Sequence, residues 1–191
     1  MGRVLIWYVD NSERRESASR LTSIQSQDGE LTASGHASGS IFIFSNTDRR
    51  LRHSLPSLLK PIRSVRFSPS ATLLAAAGDA SIIALYDVSS GEQVAALNGH
   101  GGSWIFGLDW SSTGEWLVSS AWDGKVKVWR TETRESVATL REQGEKCVWD
   151  VRWLKGEGVR GIEAGRRRGE GFVTGGASKA VSFYREAAGG G

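Results

Sequence analysis

The chain has 191 residues, of which 39% are hydrophobic and 24% are charged, so it can build a sizeable core and lacks the composition of a disordered protein. Its net charge of +3 is too mildly basic to indicate a dedicated nucleic-acid binder. The single cysteine excludes a disulfide framework, and no apolar run or signal-peptide pattern indicates a membrane or secreted protein. The sequence therefore favours a soluble, intracellular protein.

The first predicted element is a strand at residues 2–7, which alternates apolar and polar residues and ends in Trp7. The same alternating run with an aromatic end recurs along the chain, with its aromatic residues at positions 7, 44, 86, 129 and 184. Because residues 1–10 read as the third strand of a unit whose first two strands are missing, they predict a remnant of a repeat.

The first repeat covers about residues 21–55. In it, Ser26 stands where the later repeats place Phe67, Trp110 or Trp153, so we expect its innermost strand to be incomplete. The next two repeats, about 62–98 and 104–140, are regular, since the strand ends at 65–67, 108–110 and 151–153 follow one another at a constant step. Each has four predicted strands separated by polar turns, and no segment shows a helical apolar period, which predicts an all-β chain.

The last repeat covers about residues 147–186 and carries an insertion at 156–171 that is rich in glycine and arginine. The run Arg166-Arg167-Arg168 could bind an acidic partner or act as a nuclear signal, although a solvated loop is the favoured interpretation of so short a basic run. A Gly-rich tail at 187–191 is expected to be flexible.

A step of about 43 residues with four strands per unit is typical of WD40 blades. Gly99-His100 and the pairing of Asp123 with Trp129 add the landmark residues of that repeat. The predicted fold is thus an all-β WD40 propeller over residues 1–188, with about four blades and a remnant. Because a propeller must close on itself to cover its strand edges, we expect the chain to be the C-terminal part of a longer ring, with a genuine four-blade ring as the less favoured alternative.

His100, Ser119 and Asp123 have the residue types of a catalytic triad, but a nucleophile needs exposure and an oxyanion hole. In a WD40 blade the corresponding residues join the closing tryptophan, here Trp129, in a buried hydrogen-bonded set. We therefore predict a structural role for these four residues. The other repeats carry Ala80, Ser38 and Ser178 where Asp123 stands, so the set should be degenerate there.

The sequence predicts no enzyme, no metal site and no cofactor. One cysteine and three scattered histidines offer no ligand spacing, and no phosphate-binding loop is present. The notable excess is in tryptophan, with seven of eight between positions 104 and 153. We expect Trp110, Trp129 and Trp153 to lie in the core, whereas Trp104, Trp122 and Trp149 should share one rim. Aromatic residues gathered on a loop face are typical anchors for a protein partner, although packing against neighbouring loops is an equally favoured alternative.

The segments "GDASIIALYDV", "DGKVKVW" and "SFYREA", with the sequence around them from about residue 31 to 188, resemble the WD40 subunit of the superkiller complex. In fungi that family is also called a meiotic recombination protein. The resemblance implies a seven-bladed propeller that bridges a tetratricopeptide scaffold and an RNA helicase in exosome-dependent 3′–5′ mRNA decay. It also implies a meiotic role beside the double-strand-break transesterase, and hence both cytoplasmic and nuclear localisation.

The leading hypothesis is a non-enzymatic scaffold that binds protein partners through its rim. Three alternatives stay open. They are a propeller that binds nucleic acid through the basic insertion and exposed aromatic residues, a chromatin- and transcription-associated adaptor and, less favoured, a propeller hydrolase. Direct nucleic-acid binding would show a steep dependence of affinity on salt.

Overall fold

The computed structural model describes residues 20–141, 147–154 and 171–185, and every regular element among them is a β-strand. The all-β prediction is confirmed. The described residues contain no helix that could cross a membrane.

The strands form four antiparallel sheets in chain order. Sheet 1 contains β1 (Arg20–Gln25), β2 (Leu31–His36), β3 (Ile41–Ser45) and β4 (Leu51–Leu55). Sheet 2 contains β5 (Ile62–Phe67), β6 (Leu73–Gly78), β7 (Ile82–Asp87) and β8 (Gln93–Asn98). Sheet 3 contains β9 (Ile105–Trp110), β10 (Trp116–Ala121), β11 (Lys125–Arg130) and β12 (Glu135–Arg141). Sheet 4 contains β13 (Val148–Trp153), β14 (Gly171–Gly176) and β15 (Val181–Arg185) among the described residues.

Each sheet is a meander in which every strand pairs with the next one along the chain. Four repeats were predicted, at 21–55, 62–98, 104–140 and 147–186. The four sheets run from 20 to 55, 62 to 98, 105 to 141 and 148 to 185. The predicted remnant at residues 1–10, most of the insertion at 156–171 and the tail at 187–191 lie outside the described residues.

The expectation of an incomplete innermost strand in the first repeat is wrong. Strand β1 has six residues, as many as β5, β9 and β13. The register explains the error, because Gln25 pairs with Thr32 in the position where Phe67 pairs with Leu74. The residue that replaces the aromatic side chain is therefore Gln25, and Ser26 belongs to the turn that follows.

Ser26 has the same role in its turn as Ser68 and Ser111 have in theirs. Its amide donates to Leu31 O at 2.9 Å, and its hydroxyl oxygen accepts from the amide of Leu31 at 2.9 Å. Ser111 makes the same pair of bonds with Trp116, at 2.8 and 3.0 Å. A serine that satisfies both backbone groups of the residue opening the next strand fixes a tight strand-to-strand turn.

The four sheets stack face to face, and the first strands of consecutive sheets lie against each other. Three apolar cores fill the spaces between sheets 1 and 2, sheets 2 and 3, and sheets 3 and 4. Sheet 2 is buried on both faces, because Ala76, Ala84 and Tyr86 face sheet 1 while Ile83 and Leu85 face sheet 3. This double burial explains why β6 and β7 read as continuous apolar runs rather than as alternating ones.

Candidate functional site

Four side chains of sheet 3 and the loop before it form one hydrogen-bonded chain. Trp129 Nε1 donates to Ser119 Oγ at 2.9 Å, and Ser119 Oγ lies 2.8 Å from His100 Nε2. The Nδ1 atom of His100 lies 3.3 Å from both carboxylate oxygens of Asp123. All donors and acceptors are satisfied when the Ser119 hydroxyl donates to Nε2 and a proton on Nδ1 donates to Asp123.

Asp123 is held by its neighbours as well as by His100. Burial alone would raise the pKa of this carboxyl group. The hydrogen bond from His100, the amide of Lys125 at 3.0 Å and the Lys125 ammonium outweigh burial and lower the pKa of Asp123 below its usual value. Asp123 is therefore suited to remain a carboxylate that fixes the imidazole, which in turn orients Ser119.

The sequence-predicted set His100, Ser119, Asp123 and Trp129 is thus brought together in one place. His100, Ser119 and Trp129 are buried, and the indole N–H of Trp129 occupies the oxygen of Ser119. A serine nucleophile would need an exposed hydroxyl, so this geometry suits packing and gives a substrate no access to Ser119. The backbone also fits the ring closely, since a Cβ atom on Gly99 would come within 2.8 Å of Trp129.

Sheet 2 lacks this network. By register, Ala76 stands where Ser119 does, Tyr86 where Trp129 does, and Ala80 where Asp123 does. Tyr86 instead donates its hydroxyl to Pro56 O at 2.8 Å, and burial raises the pKa of that hydroxyl to about 12. In sheet 1, the hydroxyl of Ser38 donates to that of Ser40 at 2.9 Å. Within the described part of the chain, Ser38 makes no hydrogen bond to a histidine of the sort that joins Asp123 to His100.

The three rim tryptophans lie together and are about half exposed, with 46% of Trp104, 54% of Trp122 and 49% of Trp149 accessible to solvent. The ring centroids of Trp104 and Trp122 are 6.0 Å apart, and those of Trp122 and Trp149 are 5.9 Å apart. Trp104 precedes β9, Trp122 lies in the turn between β10 and β11, and Trp149 is in β13. Neighbouring loops therefore cover these side chains only in part.

Two residues that the sequence analysis missed complete this surface. Phe106 lies between the tryptophans, and its ring centroid is 5.0 Å from that of Trp149 and 6.3 Å from that of Trp122. The guanidinium group of Arg63 lies 5.1 Å from the centre of the Trp104 ring and 5.3 Å from that of Phe106. Arg63 is itself held by two hydrogen bonds to the carboxylate of Asp79. We call Trp104, Phe106, Trp122 and Trp149 the aromatic cluster.

The repeat step contained the signal for both residues. Arg63, Phe106 and Trp149 stand 43 residues apart and occupy the second position of β5, β9 and β13. Asp79 and Trp122 are likewise 43 residues apart, in equivalent turns. One pair of repeat positions thus holds an ion pair in sheet 2 and an aromatic pair in sheet 3, and both pairs meet at the same end of the sheets.

The remaining sequence predictions concern metal binding, the basic insertion and the three core tryptophans. Among them, no group of three or more histidine, cysteine or acidic side chains is placed to hold a metal ion. Arg166, Arg167 and Arg168 of the basic insertion lie outside the described residues. Of the three tryptophans predicted for the core, Trp110 and Trp129 are buried, while Trp153 is partly buried against sheet 3.

Comparisons with known proteins agree with the repeat analysis. The family model of the WD domain, G-beta repeat matches residues 50–87 and 91–130. The chain is 40% identical over 163 residues to the meiotic recombination protein rec14 of Schizosaccharomyces pombe, an alignment that covers 85% of this chain and 49% of the relative. It is 33% identical over 141 residues to the antiviral protein SKI8 of Saccharomyces cerevisiae, covering 62% of this chain and 35% of the relative.

Similarity also extends to the WD repeat-containing protein 1 of Xenopus tropicalis, at 33% identity over 102 residues, which is 49% of this chain and 17% of the relative. The chain spans about half the length of rec14 and about a third of the length of SKI8.

Proposed function

Because this chain belongs to the WD40-repeat proteins and is similar to SKI8 and rec14, we propose that it is a scaffold that binds protein partners through the aromatic cluster. The observation that carries the proposal is the cluster itself. Large aromatic side chains that pack together yet remain half exposed resemble the anchors at the centre of protein interfaces.

The geometry suits a docking surface in a second respect. Phe106 and Trp149 come from the first strands of adjacent sheets, and Arg63 reaches the cluster from a third. Positions on strands are held more rigidly than positions on loops, so a partner that binds there pays little for ordering the surface. The ion pair of Arg63 with Asp79 holds the guanidinium group over Trp104 and Phe106.

The partners proposed for this chain come from the family it resembles. They are a tetratricopeptide scaffold and an RNA helicase of the superkiller complex, with a role in exosome-dependent 3′–5′ mRNA decay, and the meiotic double-strand-break transesterase. These partners would require the chain to be in the cytoplasm for mRNA decay and in the nucleus for meiosis. Scaffolding by binding needs no catalytic group, which is consistent with the structural use of His100, Ser119 and Asp123.

The test is binding of the tetratricopeptide scaffold to the 191-residue chain and to a Trp104→Ala, Trp122→Ala, Trp149→Ala variant. Loss of such anchors should weaken binding by at least tenfold, because truncating even one hot-spot residue of an interface costs about 2 kcal/mol or more. The matched control replaces three exposed apolar residues elsewhere, Leu51, Leu59 and Val137, by alanine.

The far-ultraviolet circular dichroism of both variants should match that of the parent. Unchanged affinity of the tryptophan variant, with the fold intact, would contradict the proposed docking surface. Binding that weakens equally in both variants would show that it depends on general surface apolarity rather than on the aromatic cluster.

A further inference from the structure

Arg63 is the charged residue beside the aromatic cluster, and its guanidinium group is held in a fixed position. Its Nε and Nη2 atoms each donate a hydrogen bond to the carboxylate of Asp79, the second of them at 3.0 Å. Such a bidentate pair fixes both the position and the plane of the guanidinium group. Asp79 is itself well anchored, because only 14% of its side chain is exposed and its amide donates to Pro61 O at 3.0 Å.

The guanidinium group in turn supports two rings of the cluster. Its central carbon lies 5.1 Å from the ring centroid of Trp104 and 5.3 Å from that of Phe106, distances at which a cation is attracted to an aromatic ring. Phe106 is in β9, but Trp104 precedes that strand. The position of the Trp104 ring therefore depends on side-chain contacts of this kind rather than on strand pairing.

One donor of Arg63 remains available to a partner. Its Nη1 atom makes no hydrogen bond to any described residue, and 34% of the Arg63 side chain is exposed. Because Asp79 balances the charge of Arg63, the pair offers this donor without a net charge. A neutral acceptor, such as a carbonyl oxygen, suits the donor better than a carboxylate, which Asp79 would repel.

From these contacts we infer that Arg63 determines the specificity of the aromatic cluster. It holds the rings of Trp104 and Phe106 in place for an apolar side chain of the partner, and its Nη1 atom donates to a carbonyl oxygen beside that side chain. A partner without an acceptor at this point would bury the donor unpaired and bind less tightly. This inference rests on the proposed function, because it concerns the surface proposed above to bind a protein partner.

The test compares the affinities of the tetratricopeptide scaffold for the 191-residue chain and for its Arg63→Lys and Asp79→Asn variants. Lysine keeps the charge but lacks the planar fork, so Arg63→Lys should weaken binding about tenfold. Asp79→Asn keeps Arg63 but removes one of its two acceptors, and should weaken binding about threefold to tenfold. Arg130→Lys is the matched control and should bind like the parent. Arg130 also stacks on a tryptophan, Trp116, at 4.7 Å, but at the opposite end of sheet 3.

Fluorine NMR of protein labelled with fluorotryptophan separates positioning from a general loss of stability. The resonance of Trp104, assigned with Trp104→Phe, should shift or broaden in Arg63→Lys and in Asp79→Asn. The resonance of the buried Trp129 should stay in place. A Trp104 resonance that is unchanged in both variants would overturn the positioning of that ring by Arg63. Circular dichroism spectra like that of the parent would show that the variants are folded.

Arg63→Gln tests the nature of the acceptor, because it removes the charge. The loss of affinity should be similar at low and high salt when the acceptor is a carbonyl group. A loss that is large at low salt and disappears at high salt would identify a carboxylate and overturn the assignment of a neutral acceptor.

The two proposals fail in different ways. Parent affinity in Arg63→Lys and Asp79→Asn, together with lost binding in the triple tryptophan variant, would overturn the role of Arg63 and leave the proposed function intact. Parent affinity in the triple tryptophan variant would overturn both.

Discussion

At the scale of single residues, Ser119 links the buried hydrogen-bonded chain of sheet 3, because it bonds to both Trp129 and His100. Its oxygen accepts from Trp129, and its hydroxyl is 2.8 Å from His100 Nε2, so both buried rings depend on one side chain. Replacing Ser119 by alanine leaves two buried polar atoms without partners.

We expect Ser119→Ala to lower the free energy of unfolding by about 1–3 kcal/mol, measured by urea or guanidinium denaturation. Ser120 is an unusually close control, since it is the next residue of β10, is fully buried, and has an Oγ atom with no hydrogen-bond partner among the described residues. Ser120→Ala should therefore be neutral or slightly stabilising. Equal losses in the two variants would show that cavity formation, and not the network, sets the cost.

At the scale of elements, charged residues in the first strands link one sheet to the next. Asp109 in β9 accepts a hydrogen bond from the amide of Trp153 in β13 at 2.7 Å, and it lies 3.9 Å from Arg66 of β5. The indole of Trp110 in turn donates to Arg66 O at 3.1 Å. Because these contacts cross between sheets, they fix the stacking of sheets 2, 3 and 4 as well as the strands themselves.

Replacing Asp109 by alanine should lower the free energy of unfolding by about 1–3 kcal/mol, because the Trp153 amide loses a charged acceptor and Arg66 loses a nearby carboxylate. Thermal or denaturant unfolding would measure the loss, with Glu132→Ala in an exposed turn as the control, expected within about 0.5 kcal/mol of the parent. A loss as small as that of the control would mean that the apolar cores alone set the stacking.

The elements also show what the sequence could and could not reveal. The constant step between repeats predicts the strands, because alternation and turn residues are local properties of the chain. In the first repeat the step places the end of the first strand one residue too late, at Ser26. The strand ends at Gln25, which replaces the aromatic residue that marks the strand end in the other repeats. Arg63 and Phe106 share a repeat position with Trp149, but the sequence does not show that they meet, because their contacts are made between different sheets. The burial of both faces of sheet 2 likewise depends on the stacking.

At the scale of the whole molecule, Leu85 and Phe183 occupy one position by register, in two environments. Leu85 lies in the core between sheets 2 and 3, whereas Phe183 lies on the outer face of sheet 4. The loss of stability on truncating each side chain to alanine should therefore differ between the two positions.

We expect Leu85→Ala to lower the free energy of unfolding by about 2–5 kcal/mol, because it removes buried contacts and leaves a cavity. Phe183→Ala should cost less than about 0.5 kcal/mol, as an ordinary surface substitution does, because the side chain is 69% exposed. Denaturant unfolding of both variants and the parent provides the measurement. Equal losses in the two variants would contradict the difference in burial between the two positions.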